Sequence, residues 1–106
     1  MKLPLLFEAA TFILFVGCTT AEFAPAKMNQ TYDYRTSPET IELFRSASPS
    51  KAFIEIGAVS ACCSADANDM IELLRKKASA AGGDALMGLD INAHGGATAS
   101  VIRYGK

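Results

Sequence analysis

Phe53-Ile54-Glu55-Ile56-Gly57-Ala58-Val59-Ser60 is the stretch whose reading decides the fold. Ile54 and Ile56 share one face and Glu55 takes the other, the period of two that marks a half-buried strand. Val59 then falls one residue out of phase. Gly57 explains the slip in one of two ways: it supplies a bulge that restores the alternation, or a neighbouring backbone passes close to a residue with no side chain.

Downstream, Asp66 reads as a helix N-cap, and Asp69 adds negative charge at the positive end of the helix dipole. Ala67, Met70, Ile71, Leu74, Ala78 and Ala81 then form one apolar stripe at helical spacing. Glu72 and Lys76 make an i,i+4 pair on the opposite side. Arg75-Lys76-Lys77 lies towards the helix C-terminus, where cations are favoured. Gly82-Gly83 stops the helix, because glycine accepts the left-handed backbone of a C-terminal cap.

The pattern next predicts a strand over residues 84–93, with Met87, Leu89 and Ile91 inward and Gly88, Asp90 and Asn92 outward. His94-Gly95-Gly96 turns the chain, and residues 98–104 return as the last strand of an antiparallel hairpin. Upstream, Thr40-Ile41-Glu42-Leu43-Phe44-Arg45 alternates like a strand and is broken by the Ser-Pro turn at residues 46–51. The expected fold is α+β: one small domain over residues 39–106 in the order β-β-α-β-β, with one helix packed on a mainly antiparallel sheet.

These residues resemble a family. Ile-Glu-Leu-Phe-Arg, the Ser-Pro turn and Phe-Ile-Glu-Ile-Gly-Ala-Val-Ser are similar to the entry into small bacterial domains of the YbjQ and Rcs stress-sensor type. The helix ending Ala-Ser-Ala-Ala-Gly-Gly-Asp-Ala-Leu-Met and the hairpin ending Ala-Ser-Val-Ile-Arg-Tyr fit the same pattern, so the likeness covers residues 38–104. YbjQ-like domains are described as heavy-metal binders that assemble into rings. The Rcs-type sensor is an outer-membrane lipoprotein stapled by disulfides that signals through protein contacts. The resemblance therefore implies a homo-oligomer on one branch and an envelope-protein partner on the other. This chain departs from the sensor in having only an adjacent cysteine pair in its domain.

The N-terminal end supplies an address. Met1-Lys2 is a short positive region, and residues 3–16 form an apolar run of about 14 residues, short of the roughly 20 that span a bilayer. Phe15-Val16-Gly17-Cys18 ends that run with small residues before a cysteine, the pattern a lipoprotein signal peptidase cuts. Residues 1–17 are thus read as a cleaved signal peptide and Cys18 as the lipidated first residue of the mature chain. The competing readings are a plain secretory signal cut near Ala21 or Ala24, releasing a secreted domain of structural role, and an uncleaved anchor. Thr19 is not aspartate, which in Gram-negative bacteria resembles lipoproteins forwarded to the outer membrane, facing the periplasm; in any other organism the reading is a cell-membrane lipoprotein. Residues 18–38 read as a flexible tether, poor in branched apolar residues. Within it, Thr31-Tyr32-Asp33-Tyr34-Arg35 reads as either a short extra strand or a surface-hugging segment.

Cys62-Cys63 lies between the clearest strand and the helix. Thiols in an oxidising compartment tend to be paired. Four states stay open for these two: a vicinal disulfide, two unpaired or buried thiols, pairing between chains, or a zinc or copper site completed by His94. His94 by itself reads as a solvated turn residue. Adjacent cysteines lack the two-residue spacing of a zinc knuckle.

Lys and Arg total 10 against 11 Asp and Glu, a formal charge of −1 with no dense basic patch, so nucleic acid is not an expected partner. Neither a nucleophile elbow nor a phosphate-binding loop is present, and no enzyme is expected. The expected function is that of an outer-membrane-anchored lipoprotein acting as a protein-interaction or envelope-sensing module. The alternative is a metal-binding or redox-responsive module built on Cys62 and Cys63. No cofactor is expected apart from the covalent lipid on Cys18.

Overall fold

A computed structural model describes residues 20–28, 30–63, 66–92 and 95–105. The expected signal peptide over 1–17, the lipid-bearing Cys18 and the turn residue His94 lie outside the described residues. Those described form one helix and a five-stranded mixed sheet, an α+β arrangement. The strands are β1 (Thr20–Pro25), β2 (Glu42–Phe44), β3 (Phe53–Cys62), β4 (Ala85–Ile91) and β5 (Gly96–Tyr104), and the helix α1 is Ala67–Ala80. A 3-10 turn, Pro38–Thr40, leads into β2.

The spatial order is β1-β3-β5-β4-β2. Three of its pairings are antiparallel, and β2 runs parallel to β4. The chain leaves β3, crosses as α1 and returns as β4, leaving a place between them that β5 fills by hairpin from β4.

The added strand is the main departure from expectation. Thr20–Pro25, placed by the sequence reading within the flexible tether, is instead the edge strand β1, so the order is β-β-β-α-β-β. It pairs with β3 over its whole length, from Thr20 opposite Cys62 to Pro25 opposite Gly57. Ala21 and Phe23 are half-buried against the core while Thr20, Glu22 and Ala24 are exposed. Gly57 explains why six weakly apolar residues hold there. A Cβ at residue 57 would stand 2.5 Å from the Ala24 carbonyl oxygen and 2.5 Å from the Phe23 ring. Both readings of this glycine are therefore realised: the β3–β5 register shifts between Glu55 and Gly57, and β1 passes close over the same residue. The bulge lets Ile56, Val59 and Ala61 all reach the buried face.

Part of the expected tether beyond β1, residues 32–36, is also tied down. Residues 31–35 form no strand; they hug the surface. Tyr32 lies against Gly82 and under the Arg103 guanidinium, 5.3 Å from the ring centroid, and Arg103 donates to the Asp33 carbonyl at 2.9 Å.

Helix α1 forms as its signals dictate. The Asp66 carboxylate accepts from the Asn68 amide at 2.9 Å, satisfying one orphan donor of the first turn. At the other end Gly82 takes φ +93°, with its amide on the Ser79 carbonyl and the Gly83 amide on the Ala78 carbonyl, a Schellman cap. Met70, Leu74 and Ala78 bury the stripe against the sheet. Beneath them lie Ala61, Ala97 and Ala99, small enough to let the helix settle closely, flanked by Val59, Val101 and Leu86. Burying Leu74 fully is worth about 2 kcal/mol.

One phase assignment is corrected in β4. Leu86, not Met87, is fully buried, and Met87 is only half-buried. Gly88 adopts φ +67°, and β4 slips between Met87 and Asp90 so that two residues face one on β5. The bulge places Leu86 and Leu89 on the same buried face, a pairing no regular strand allows.

Candidate functional site

Two polar clusters occupy opposite ends of the sheet, separated by the ten residues of β3, or about 30 Å. The first is built on the cysteine pair. Cys62 ends β3 and is joined to Cys63 by a disulfide. Both residues are exposed. Cys63 has φ +80° and is the one non-glycine residue with positive φ among those described. A side chain in that region costs about 1–2 kcal/mol relative to the ordinary backbone regions. The Cys63 amide donates to the Gly95 carbonyl at 2.9 Å, extending the β3–β5 ladder by one rung.

Around the disulfide the sheet face away from α1 is lined by polar side chains, most of them short. Thr20, Glu22, Ser60, Cys62, Asn92 and Thr98 border a shallow cleft of about 370 Å³. The Thr20 hydroxyl lies 3.7 Å from the Cys62 sulfur; a bonded sulfur has no proton, so the hydroxyl is the donor of this weak contact. Asn92 shapes the opposite wall. Its side-chain oxygen accepts from the Gly96 amide at 3.0 Å, and its own amide donates to the Gly96 carbonyl at 2.9 Å.

A disulfide removes both thiolates from metal duty. His94, the third expected ligand, lies outside the described residues, and among the described residues no group of three or more His, Cys, Asp or Glu is placed to hold a metal ion. No helix among the described residues is long and apolar enough to cross a membrane.

The second cluster was not anticipated. Asp84, just after the glycine cap of α1, is only 6% exposed. The Arg35 side chain reaches it from the segment before β2, with Nε 3.1 and 3.2 Å from its two oxygens and a second nitrogen also paired to the carboxylate. The Thr36 hydroxyl and the Tyr104 amide, at 2.8 Å, donate to the same carboxylate. Burial alone would raise the Asp84 pKa, but the bonds from Arg35, Thr36 and the Tyr104 amide outweigh it and hold the carboxyl down at about 2. Beside it, the Tyr104 hydroxyl donates to Glu42, and the Lys51 ammonium sits 4.6 Å from the Tyr104 ring centroid. Burial and the Glu42 carboxylate push the phenol up to about 12.

No family model, curated protein or solved structure matches this chain. Arg35 and Asp84 are 49 positions apart, so no local motif announces them, although an aspartate at a strand start after Gly-Gly is a charge that needs a partner. The ends then differ in character: one carries an exposed disulfide, the other a saturated ion pair that fixes residues 35–36 to the domain.

Proposed function

We propose that this chain is a lipid-anchored, periplasm-facing domain of an outer membrane that works through contact with another envelope protein. In this reading the Cys62–Cys63 bond makes the contact responsive to redox state. One observation carries it: an exposed disulfide between neighbouring residues, with Cys63 held at positive φ. Such a bond persists where thiols are oxidised, which supports the extracytoplasmic address read from Phe15-Val16-Gly17-Cys18. Ring closure also couples chemistry to shape. Opening the ring frees Cys63 to return to negative φ, which shifts the link to the Asp66 cap and the bond to Gly95.

The bonded pair favours a redox role over a zinc or copper site, which needs both thiolates free. The resemblance to Rcs-type sensors supports an envelope role acting through protein contact, and the reading assigns the domain no catalysis. The test is crosslinking in cells of wild type and of Cys62→Ser/Cys63→Ser, with and without a thiol reductant. The proposal expects a captured envelope protein whose yield changes on reduction in wild type and not in the double variant. Equal yields in all four samples would remove the redox role, and repeated capture of no protein would remove the interaction role.

A further inference from the structure

We infer that the Cys62–Cys63 disulfide lies at the bilayer surface and exchanges with a dithiol protein held in or on the same membrane. The inference rests on the proposed lipid anchor at Cys18 and adds to it the position and partner class of the site. β1 begins at Thr20, two residues after Cys18. Two residues of covalent chain span at most about 7 Å. Thr20 is the strand partner of Cys62, and Cα atoms so paired stand about 5 Å apart. The Cys62 Cα is therefore within about 12 Å of the Cα of the residue carrying the lipid, so it lies in or just beyond a headgroup layer of about 5–8 Å. A free tether over 18–38 would instead have allowed roughly 60 Å. The same sheet end holds the Cys63–Gly95 bond and the start of α1, while the Arg35–Asp84 cluster lies at the far end.

A folded soluble oxidoreductase must approach this end against the bilayer. A membrane-held dithiol already shares the surface and gains effective concentration. The exchange balances. A partner thiolate attacks the Cys63 sulfur, forming a mixed disulfide and releasing Cys62 as thiolate, the leaving sulfur that Thr20 is placed to hydrogen-bond. The partner's second thiol then attacks the mixed disulfide. Two electrons and two protons pass to this chain, which ends with two thiols, and the partner ends with a disulfide.

The test uses the full lipidated chain in liposomes. Dihydrolipoamide coupled to a phospholipid headgroup is compared with free dihydrolipoamide at equal total concentration, following the appearance of two thiols. Mass spectrometry of the same sample reads the lipid on Cys18. The inference expects the tethered dithiol to be faster by about tenfold, and insertion of about fifteen Gly/Ser residues before Thr20 to reduce that advantage. Equal rates on a chain that carries lipid at Cys18 would overturn this inference and leave the anchor standing. A chain without lipid at Cys18 would overturn both.

Discussion

Thr20 and Cys62 face one another across the β1–β3 pair, the hydroxyl 3.7 Å from the disulfide sulfur. This relationship ties the edge strand β1 to the exposed Cys62–Cys63 disulfide. It exists because Thr20–Pro25 enters the sheet as β1.

β1 depends on the absence of a side chain at Gly57. Gly57→Val places a branched side chain where the Ala24 carbonyl and Phe23 ring stand, and the strand must move away. Stability should fall by about 1–3 kcal/mol. Hydrogen exchange at residues 20–24 should accelerate well beyond that at β4 and β5. Unchanged protection of β1 would show that the close approach does not hold the strand.

Much of this fold is legible residue by residue, and the exceptions share a cause. The β3 alternation, the Asp66 cap, the Gly82-Gly83 stop and the β4–β5 hairpin are local signals, each complete within a few residues. β1 is not local: Thr-Ala-Glu-Phe-Ala-Pro has little strand propensity, and its partner lies more than thirty positions away at Gly57. The phase of β4 turns on a bulge at Gly88 that regular alternation cannot foresee. For the site, the adjacency of Cys62 and Cys63 was visible but their state was not, since sequence spacing admits thiol, disulfide and metal alike. The Arg35–Asp84 pair was hidden by its separation along the chain.

Asp84 makes stability depend on acid. Its folded pKa of about 2 lies below the ordinary value of 3.8, so its contribution is present above pH 4 and is lost as pH falls from about 4 towards 2. Asp84→Asn should lower stability at pH 7 by about 2 kcal/mol, because Arg35 and Thr36 lose a charged acceptor. The variant should also flatten the stability profile between pH 4 and pH 2, measured by urea unfolding. A profile as steep as that of wild type would assign the acid sensitivity elsewhere.

Tyr104 acts at the opposite limit. Its phenol is raised from 10.0 to about 12, so its contribution is intact below pH 10 and is lost as pH rises towards 12. Tyr104→Phe should remove that alkaline decline while leaving the acid profile unchanged, as read by unfolding across pH 9–12.

Reducing the Cys62–Cys63 bond should not unfold the domain. A bond between neighbours closes almost no loop, so it restricts the unfolded chain far less than a staple between distant residues. The melting temperature should move by only a few degrees on reduction. Amide chemical shifts should change around Thr20, Cys62–Cys63, Gly95–Gly96 and the first turn of α1, and not around Asp84. Loss of the fold would give the bond a structural rather than a responsive role.

The most direct measurement is mass spectrometry of the mature protein isolated from cells without reductant, with free thiols alkylated on lysis. The account predicts an N-terminal peptide that starts at a lipidated Cys18 and a second peptide in which Cys62 and Cys63 are unalkylated and two hydrogens lighter than the dithiol. An unlipidated N-terminus at or beyond Ala21, or alkylation of both Cys62 and Cys63, would contradict it.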